Sequence, residues 1–278
     1  MRPPTPASLT TGRPDVITYD QAAADRTDRA YLTPDVTRQR MRTLRALRLN
    51  AGEAVLDVGC GTGLLTRDMA TLVGAGGWVV GIDVSRDMLK FAQGRCADLP
   101  QVTLRRGNAM PLDESDETFD AVTCIQVLLY LADVPAAIAE MARVLRPGGR
   151  IAIIETDWRG TVLNSFDDAL TRRILAAWDQ AVPNPNLPAR LAPMLAAAGF
   201  GATGVEALPV VNTSNTPGNF SCGLFVQFAD LAQAQGAASA AETEAWLADL
   251  DRRGAEGGYF FCVNRFQFTA VKLAGKTA

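Results

Sequence analysis

Apolar and polar positions alternate along the chain in two periods that trade places. Short unbroken apolar runs at residues 55–58, 79–82, 119–125 and 151–155 predict strands buried on both faces, and 102–106 adds a shorter one. Between them, apolar residues recur every three to four positions, as in Met41, Leu44 and Leu47, in Met88, Leu89, Ala92 and Cys96, and in Ile138, Met141, Ala142 and Leu145. That spacing predicts helices that each lay one stripe on a sheet. Local signals agree: Thr33-Pro34-Asp35, Ser85 and Asp133 before Pro135 open helices, and Gly74-Ala75-Gly76-Gly77 closes one. Strict alternation of strand and helix through residue 155 predicts a parallel sheet built by right-handed crossovers. Beyond it the pattern changes. Helices are expected at 166–181 and 187–198, and a pair of strands at 205–211 and 259–273, one of them antiparallel at the sheet edge. The long connection between those strands carries helices at 222–234 and 240–252 and reads as a lid.

The chemistry concentrates where the first strand ends. Val55-Leu56-Asp57-Val58-Gly59-Cys60-Gly61-Thr62-Gly63 runs from a strand through three alternating glycines into a helix. Such a turn lets the backbone approach a ligand closely. The spacing is Gly-x-Gly-x-Gly, and an acid stands two residues before it; a pyrophosphate site has different glycine spacing and would be repelled by Asp57, whereas a ligand with an ammonium group suits it. Asp83 ends the next strand, twenty residues past Gly63, where a carboxylate accepts both hydroxyls of a ribose.

In these residues the chain resembles the class I S-adenosylmethionine-dependent methyltransferases, nearest the quinone-biosynthesis-like small-molecule branch, over roughly residues 33 to 210. The resemblance implies an α/β fold with a Rossmann-like, seven-stranded, mostly parallel sheet, helices on both faces and a helical lid. It implies S-adenosylmethionine as cofactor and S-adenosylhomocysteine as product. On it, Asp57, Gly59, Gly61, Gly63 and Asp83 bind the cofactor, Val84 and Met88 sandwich the adenine, and Asn108 with Ala109 meets the adenine edge. The family usually has an acid at position 108; the amide oxygen of Asn108 still accepts. Ile125 and Gln126, at the C-terminal end of the fourth strand, join the set, and Gln39 or Arg40 reaches the cofactor carboxylate. Segment 17–50, including Tyr19 and Tyr31, forms a cap or an ordinary surface helix. Leu-Arg-Pro-Gly-Gly at 145–149 is a structural signature of the family.

Methyl transfer needs an aligned acceptor and, for a hydroxyl or carbon acceptor, a route for its proton. The chain contains no histidine. Tyr130, Glu155 and Asp157 are the remaining groups at the sheet's C-terminal edge, with Tyr130 and Asp157 the expected catalytic pair, although Asp157 equally suits a helix cap. Leu129 stands where the family often carries a polar group. Trp158, Asn264 and Arg265 are expected to line the acceptor pocket, Arg265 facing an acidic acceptor or Asp157; packing of Trp158 between lid and sheet is the alternative. Phe220, Phe225, Phe228, Phe260, Phe261 and Phe266 suit an apolar or aromatic acceptor or the closing of the lid.

Composition narrows the rest. The chain has 278 residues, 48% of them hydrophobic, and a net charge of −3, enough for one large domain and too acidic overall for a phosphate backbone. The organisation expected is a flexible tail at 1–16 and a single domain at 17–278, with cap 17–50 and lid insertions at about 157–198 and 213–257. Five cysteines form no C-x-x-C pair, so neither a metal centre nor a disulfide framework is expected. No stretch reads as a membrane span. The sequence points to a cytoplasmic protein acting on a small-molecule acceptor, without nucleic acid, and leaves a homodimer open. Methyl transfer to oxygen or carbon is the leading function. An enzyme that keeps the cofactor for another reaction, such as a cyclisation, and a cofactor-binding sensor are the alternatives.

Overall fold

A computed structural model describes residues 21–274; the expected tail at 1–16 and Tyr19 lie outside them. Seven strands form one sheet in the order β3-β2-β1-β4-β5-β7-β6. They are β1 (Ala54–Val58), β2 (Trp78–Asp83), β3 (Val102–Arg106), β4 (Phe119–Ile125), β5 (Leu145–Leu163), β6 (Phe200–Asn212) and β7 (Phe261–Lys272). The first five pair in parallel. β7 is antiparallel to both β5 and β6. The antiparallel strand is therefore one place in from the edge, and β6 is the edge itself. This differs from the expected edge position because β7 carries the more continuous apolar run and takes the place with partners on both sides.

Helices cover both faces. α2 (Pro34–Leu47) and α3 (Leu64–Val73) bury Leu47, Met69, Ala70 and Val73 against Val55, Val79, Ala121 and Ala152. α5 (Val134–Val144) and α7 (Pro188–Ala197) bury Ile138, Met141, Leu191 and Leu195 against Leu56, Val122, Ile151 and Ile153 on the other side. The even and odd strand positions thus have different owners, as a period of two requires. α7 belongs to this sheet-covering layer and not to the lid in which residues 187–198 were expected. The lid proper is α6 (Asp168–Ala181), α8 (Leu224–Ala234) and α9 (Ala240–Glu256), which share a separate core around Phe225, Phe228 and Trp246. α1 (Gln21–Tyr31) lies beside α4 (Arg86–Arg95), which flanks β2 and β3.

The predicted caps are mostly present. Ser85 and Asp133 accept from the backbone N–H groups of Met88 and Ala136. Thr33 departs from the pattern: its hydroxyl donates back to the carbonyl of Ala30 at 2.7 Å, so Pro34 starts α2 without a side-chain cap.

Candidate active site

The glycine turn after β1 uses its glycines for different purposes. A Cβ on Gly63, at φ +79°, would stand 2.8 Å from Ala92 of α4, and one on Gly59 would strike Val127 of the loop after β4. These two let protein segments meet. Gly61, at φ +54°, has nothing within 4 Å of an added Cβ, so its backbone faces open space, as a turn that receives a ligand requires.

Asp83 ties this turn to β2: its carboxylate accepts from Gly61 N at 2.9 Å and from Ser85 N at 2.8 Å. Burial pushes Asp83 up from the usual carboxylate range, against the pull of the N–H groups of Ser85, Gly61 and Val84. Each oxygen keeps a lone pair for a further donor such as a ribose hydroxyl.

Asp57 is buried on β1 and accepts from the hydroxyls of Thr66, at 2.6 Å, and Thr123, at 2.7 Å. Burial raises it to about 6, with the two hydroxyls pulling down and Asp83 pushing up. Its carboxylate locks α3 and β4 onto β1 while still lining the cavity. The two threonines carry no motif that marks them in sequence; only the register, which sets Asp57 beside Thr123, brings the latter in.

A cavity of about 60 Å³ opens at the C-terminal ends of β1 and β4, lined among others by Asp57, Gly59, Thr62, Ile125 and Gln126. Tyr31, Gln39, Arg40 and Thr43 of the N-terminal segment close one side and Arg265 of β7 another. Gln126 stands at φ +58°, which is costly for a residue with a Cβ. Three contacts hold it there: its N–H and Nε2 donate to Ile154 O, at 2.8 and 3.2 Å, and its Oε1 accepts from Thr156 at 2.6 Å. A second, more open groove of about 320 Å³ runs past Val84, Arg106, Gly107, Asn108 and Pro111. Met88 and Ala109, expected beside the adenine, are buried and do not line it.

The expected acceptor and catalytic residues separate. β7 pairs Arg265 with Thr156 and Asn264 with Asp157. Paired residues share a face and neighbours alternate, so Asp157 and Asn264 point away from the face that Thr156, Gln126 and Arg265 occupy. Asp157 lies near Asp179 of α6, on which its charge acts, and it does not line the cavity. Arg265 accordingly has no bond to Asp157. Its Nη1 donates to Gln39 Oε1 at 2.6 Å, and its guanidinium sits 4.4 Å above the Phe220 ring.

Trp158 is in the lid core, edge-on to Trp178 and Phe228. Phe225, Phe228 and Phe261 pack there too, Phe266 packs on the main core, and Phe260 is exposed. Of the six phenylalanines, Phe220 presents its ring face to the Arg265 guanidinium. Tyr130 is packed beside the lid core and its hydroxyl is pushed well above the usual phenol range by burial, which leaves it a proton donor and not a base.

Glu155 is fully buried. Its Oε1 accepts from Val127 N at 3.1 Å and Leu128 N at 2.8 Å, pinning the loop after β4, and burial raises it to about 8.

Residues 55–149 match the family model described as a methyltransferase domain. This segment is a methyltransferase domain of the class I S-adenosylmethionine-dependent type. The demethylmenaquinone methyltransferase of Symbiobacterium thermophilum is 43% identical over 37% of this chain and 43% of its own length. An uncharacterised 37.1 kDa protein of transposon TN4556 from Streptomyces fradiae is 35% identical over 67% of this chain and 52% of its own. The chain spans about half the length of the curated relatives it matches. Among solved structures, the 4+2 cyclase SpnF superposes with a TM-score of 0.57 at 26% identity, over 86% of this chain and 82% of that one.

The methyltransferase cofactor fits the residues present. The turn at Gly61 is open where a Cβ would crowd a ligand, Asp83 has acceptors to spare at the end of β2, and the groove past Val84 and Asn108 continues from it. Among the described residues no group of three or more His, Cys, Asp or Glu side chains is placed to hold a metal ion, and no helix is long and apolar enough to cross a membrane.

Proposed function

We propose that this chain transfers a methyl group from S-adenosylmethionine to oxygen or carbon of a small aromatic or apolar metabolite. When bound, the cofactor supplies a methyl group already activated on a sulfonium. The chain's own part is placement. Asp83 and Asn108 hold the nucleoside, the turn at Gly61 and the Asp57 region face the amino-acid portion, and Arg40 reaches its carboxylate. The acceptor is received over β4, β5 and β7, under Tyr31.

The observation that carries this reading is the open backbone at Gly61 tied directly to the Asp83 carboxylate, which joins the two halves of a nucleoside site in one hydrogen bond. Among the described residues Asp57 is the one carboxylate lining the cavity, and it lies on the cofactor side, so alignment and water exclusion rather than a strong base lower the barrier; proximity and orientation can supply about 7–11 kcal/mol.

A second reading, a cyclase that retains the cofactor, is favoured by one observation, the likeness to SpnF over most of both chains. Mass spectrometry separates them. The purified protein is incubated with S-adenosylmethionine and a panel of phenols, quinones, indoles and amines, and S-adenosylhomocysteine is followed with any gain of one methyl mass. Both signals together support methyl transfer; tight cofactor binding with neither favours the second reading. Asp83→Ala tests the nucleoside site: affinity for S-adenosylhomocysteine should fall about tenfold or more by calorimetry, as loss of charge-assisted bonds implies, and unchanged affinity would remove Asp83 from the site.

A further inference from the structure

We infer that Arg265 is the anchor for an oxyanion on the acceptor, so that the molecule accepted carries an ionised hydroxyl or a carboxylate beside the reacting atom. This rests on the methyl-transfer reading and narrows its substrate class.

Arg265 is 2% exposed and lines the cavity. Among the described residues it makes no ion pair, and its Nε has no hydrogen-bond partner. A buried guanidinium without a counterion is costly, and one that borders a cavity is a place for an anion to enter. The charged and titratable groups facing it do not fill that role. Asp35 is paired with Arg38 and also accepts from Asn212 at 2.8 Å. Glu155 spends one oxygen on two backbone N–H groups, and burial favours its protonated form. Tyr31 and Tyr130 are phenols raised by burial and stay neutral. Gln39 and the Phe220 face hold the guanidinium in place without neutralising it.

Position separates this arginine from one that serves the cofactor. Arg40 also borders the cavity, but its Nε is bonded to Asp68 of α3 at 2.7 Å, beside the turn. Arg265 is on β7, three strand spacings or about 14 Å across the sheet from Asp57 on β1. The nucleoside is held still farther away, at β2. The planar fork of Arg265 faces the acceptor end, where it matches a carboxylate or phenolate.

The test compares matched ligands in the presence of S-adenosylhomocysteine: 2-hydroxybenzoate against its methyl ester, and 4-nitrophenol against 4-nitroanisole. Calorimetry on the wild-type protein should find the anionic member bound about 10- to 100-fold tighter, the span of a hydrogen-bonded buried charge. Bound 4-nitrophenol should absorb as the nitrophenolate at a pH where the free compound is neutral. R265M should lose the preference and R265K should keep part of it, both with S-adenosylhomocysteine affinity unchanged.

Equal binding of both members by the wild type, binding of neither, or an undiminished preference in R265M would overturn the assignment. So would a fall in S-adenosylhomocysteine affinity with the preference intact, which would place Arg265 at the cofactor carboxylate. If R265M does not fold, the absorption shift in the wild type and the R265K preference decide. An anion preference with no methyl transferred would sink methyl transfer and leave this assignment standing. Transfer to neutral acceptors alone would do the reverse.

Discussion

Gly61 and Gly63 are separated by a single residue, Thr62, and differ in what a methyl group would do there. Gly63→Ala meets the Ala92 backbone at 2.8 Å and the strain of φ +79°, so its effect falls on stability, with a loss in excess of the roughly 1–2 kcal/mol of left-handed strain alone. Gly61→Ala carries similar strain without the clash, and its methyl enters the open space at the turn. Thermal melts and calorimetry with S-adenosylhomocysteine should therefore separate them: the larger drop in Tm for Gly63→Ala, the larger relative loss of affinity for Gly61→Ala.

Glu155 makes a pH prediction at the same scale. Its carboxyl is raised from 4.5 in the free state to about 8 in the fold, so between these values the folded chain holds a proton that the unfolded chain releases. Stability from this group is full below about pH 4.5 and is lost as pH rises through 8. Glu155→Gln keeps an oxygen for Val127 and Leu128 N–H and should flatten the loss. Melts at pH 5 and 8 that fall equally for both proteins would refute it. Asp157 and Tyr130 illustrate the limit of this scale: a carboxylate and a phenol at a strand end are candidate groups until a neighbour fixes which way they face.

Among the elements, α1 is held by few bonds, and these are specific. Asp28 pairs with Arg95 of α4 at 3.0 Å, and Arg95 also donates to the Thr62 carbonyl in the glycine turn. One arginine thus joins the cap helix to the turn it covers. Tyr31, the last residue of α1, borders the cavity beneath, so movement of this helix would widen the way in for a nucleoside cofactor. Asp28→Asn should loosen this contact by about 1 kcal/mol, in the range of a partly buried pair. The expected readout is faster amide exchange in residues 24–31 and faster release of S-adenosylhomocysteine, with little change in Tm. Unaltered exchange there would show that the pair does not hold the cap.

The lid behaves as an element group with its own core. Trp246 is fully buried, edge-on to Phe225, and donates from Nε1 to Thr171 at 2.8 Å. Trp246→Ala should cost about 3–5 kcal/mol, and amide exchange should rise first in α6, α8 and α9 while β1, β2 and β4 stay protected. A uniform rise over sheet and lid would mean that the two cores unfold together.

At the scale of the whole molecule, two hydrophobic systems are joined by β5 and β7. The parallel half presents the cofactor turn. The long ends of β5 and β7 run past that half and carry the lid, which explains why the acceptor side has its polar group, Arg265, on a strand far from the glycine turn in sequence. Residues 54–125 were legible in sequence because their information is local: a buried parallel strand reads as an apolar run, a ligand-facing turn needs glycine within a few residues, and an acid at the next strand end follows at fixed spacing. Element identity survived in the second half as well, since the helices near 168–181, 224–234 and 240–256 and both late strands were visible in the periodicity.

The sequence by itself determined the alternation of elements, the glycine turn, the acid at β2 and the absence of histidine, because each is a property of near neighbours along the chain. Tertiary structure alone decided that β7 lies inside β6, that α7 joins the sheet and not the lid, that Asp157 and Asn264 face away from the cavity, and that Gln39 rather than an acid meets Arg265. Those outcomes depend on strand register, where a shift of one residue exchanges the faces, and on contacts between segments more than a hundred residues apart, such as Gln39 with Arg265. No local pattern encodes either.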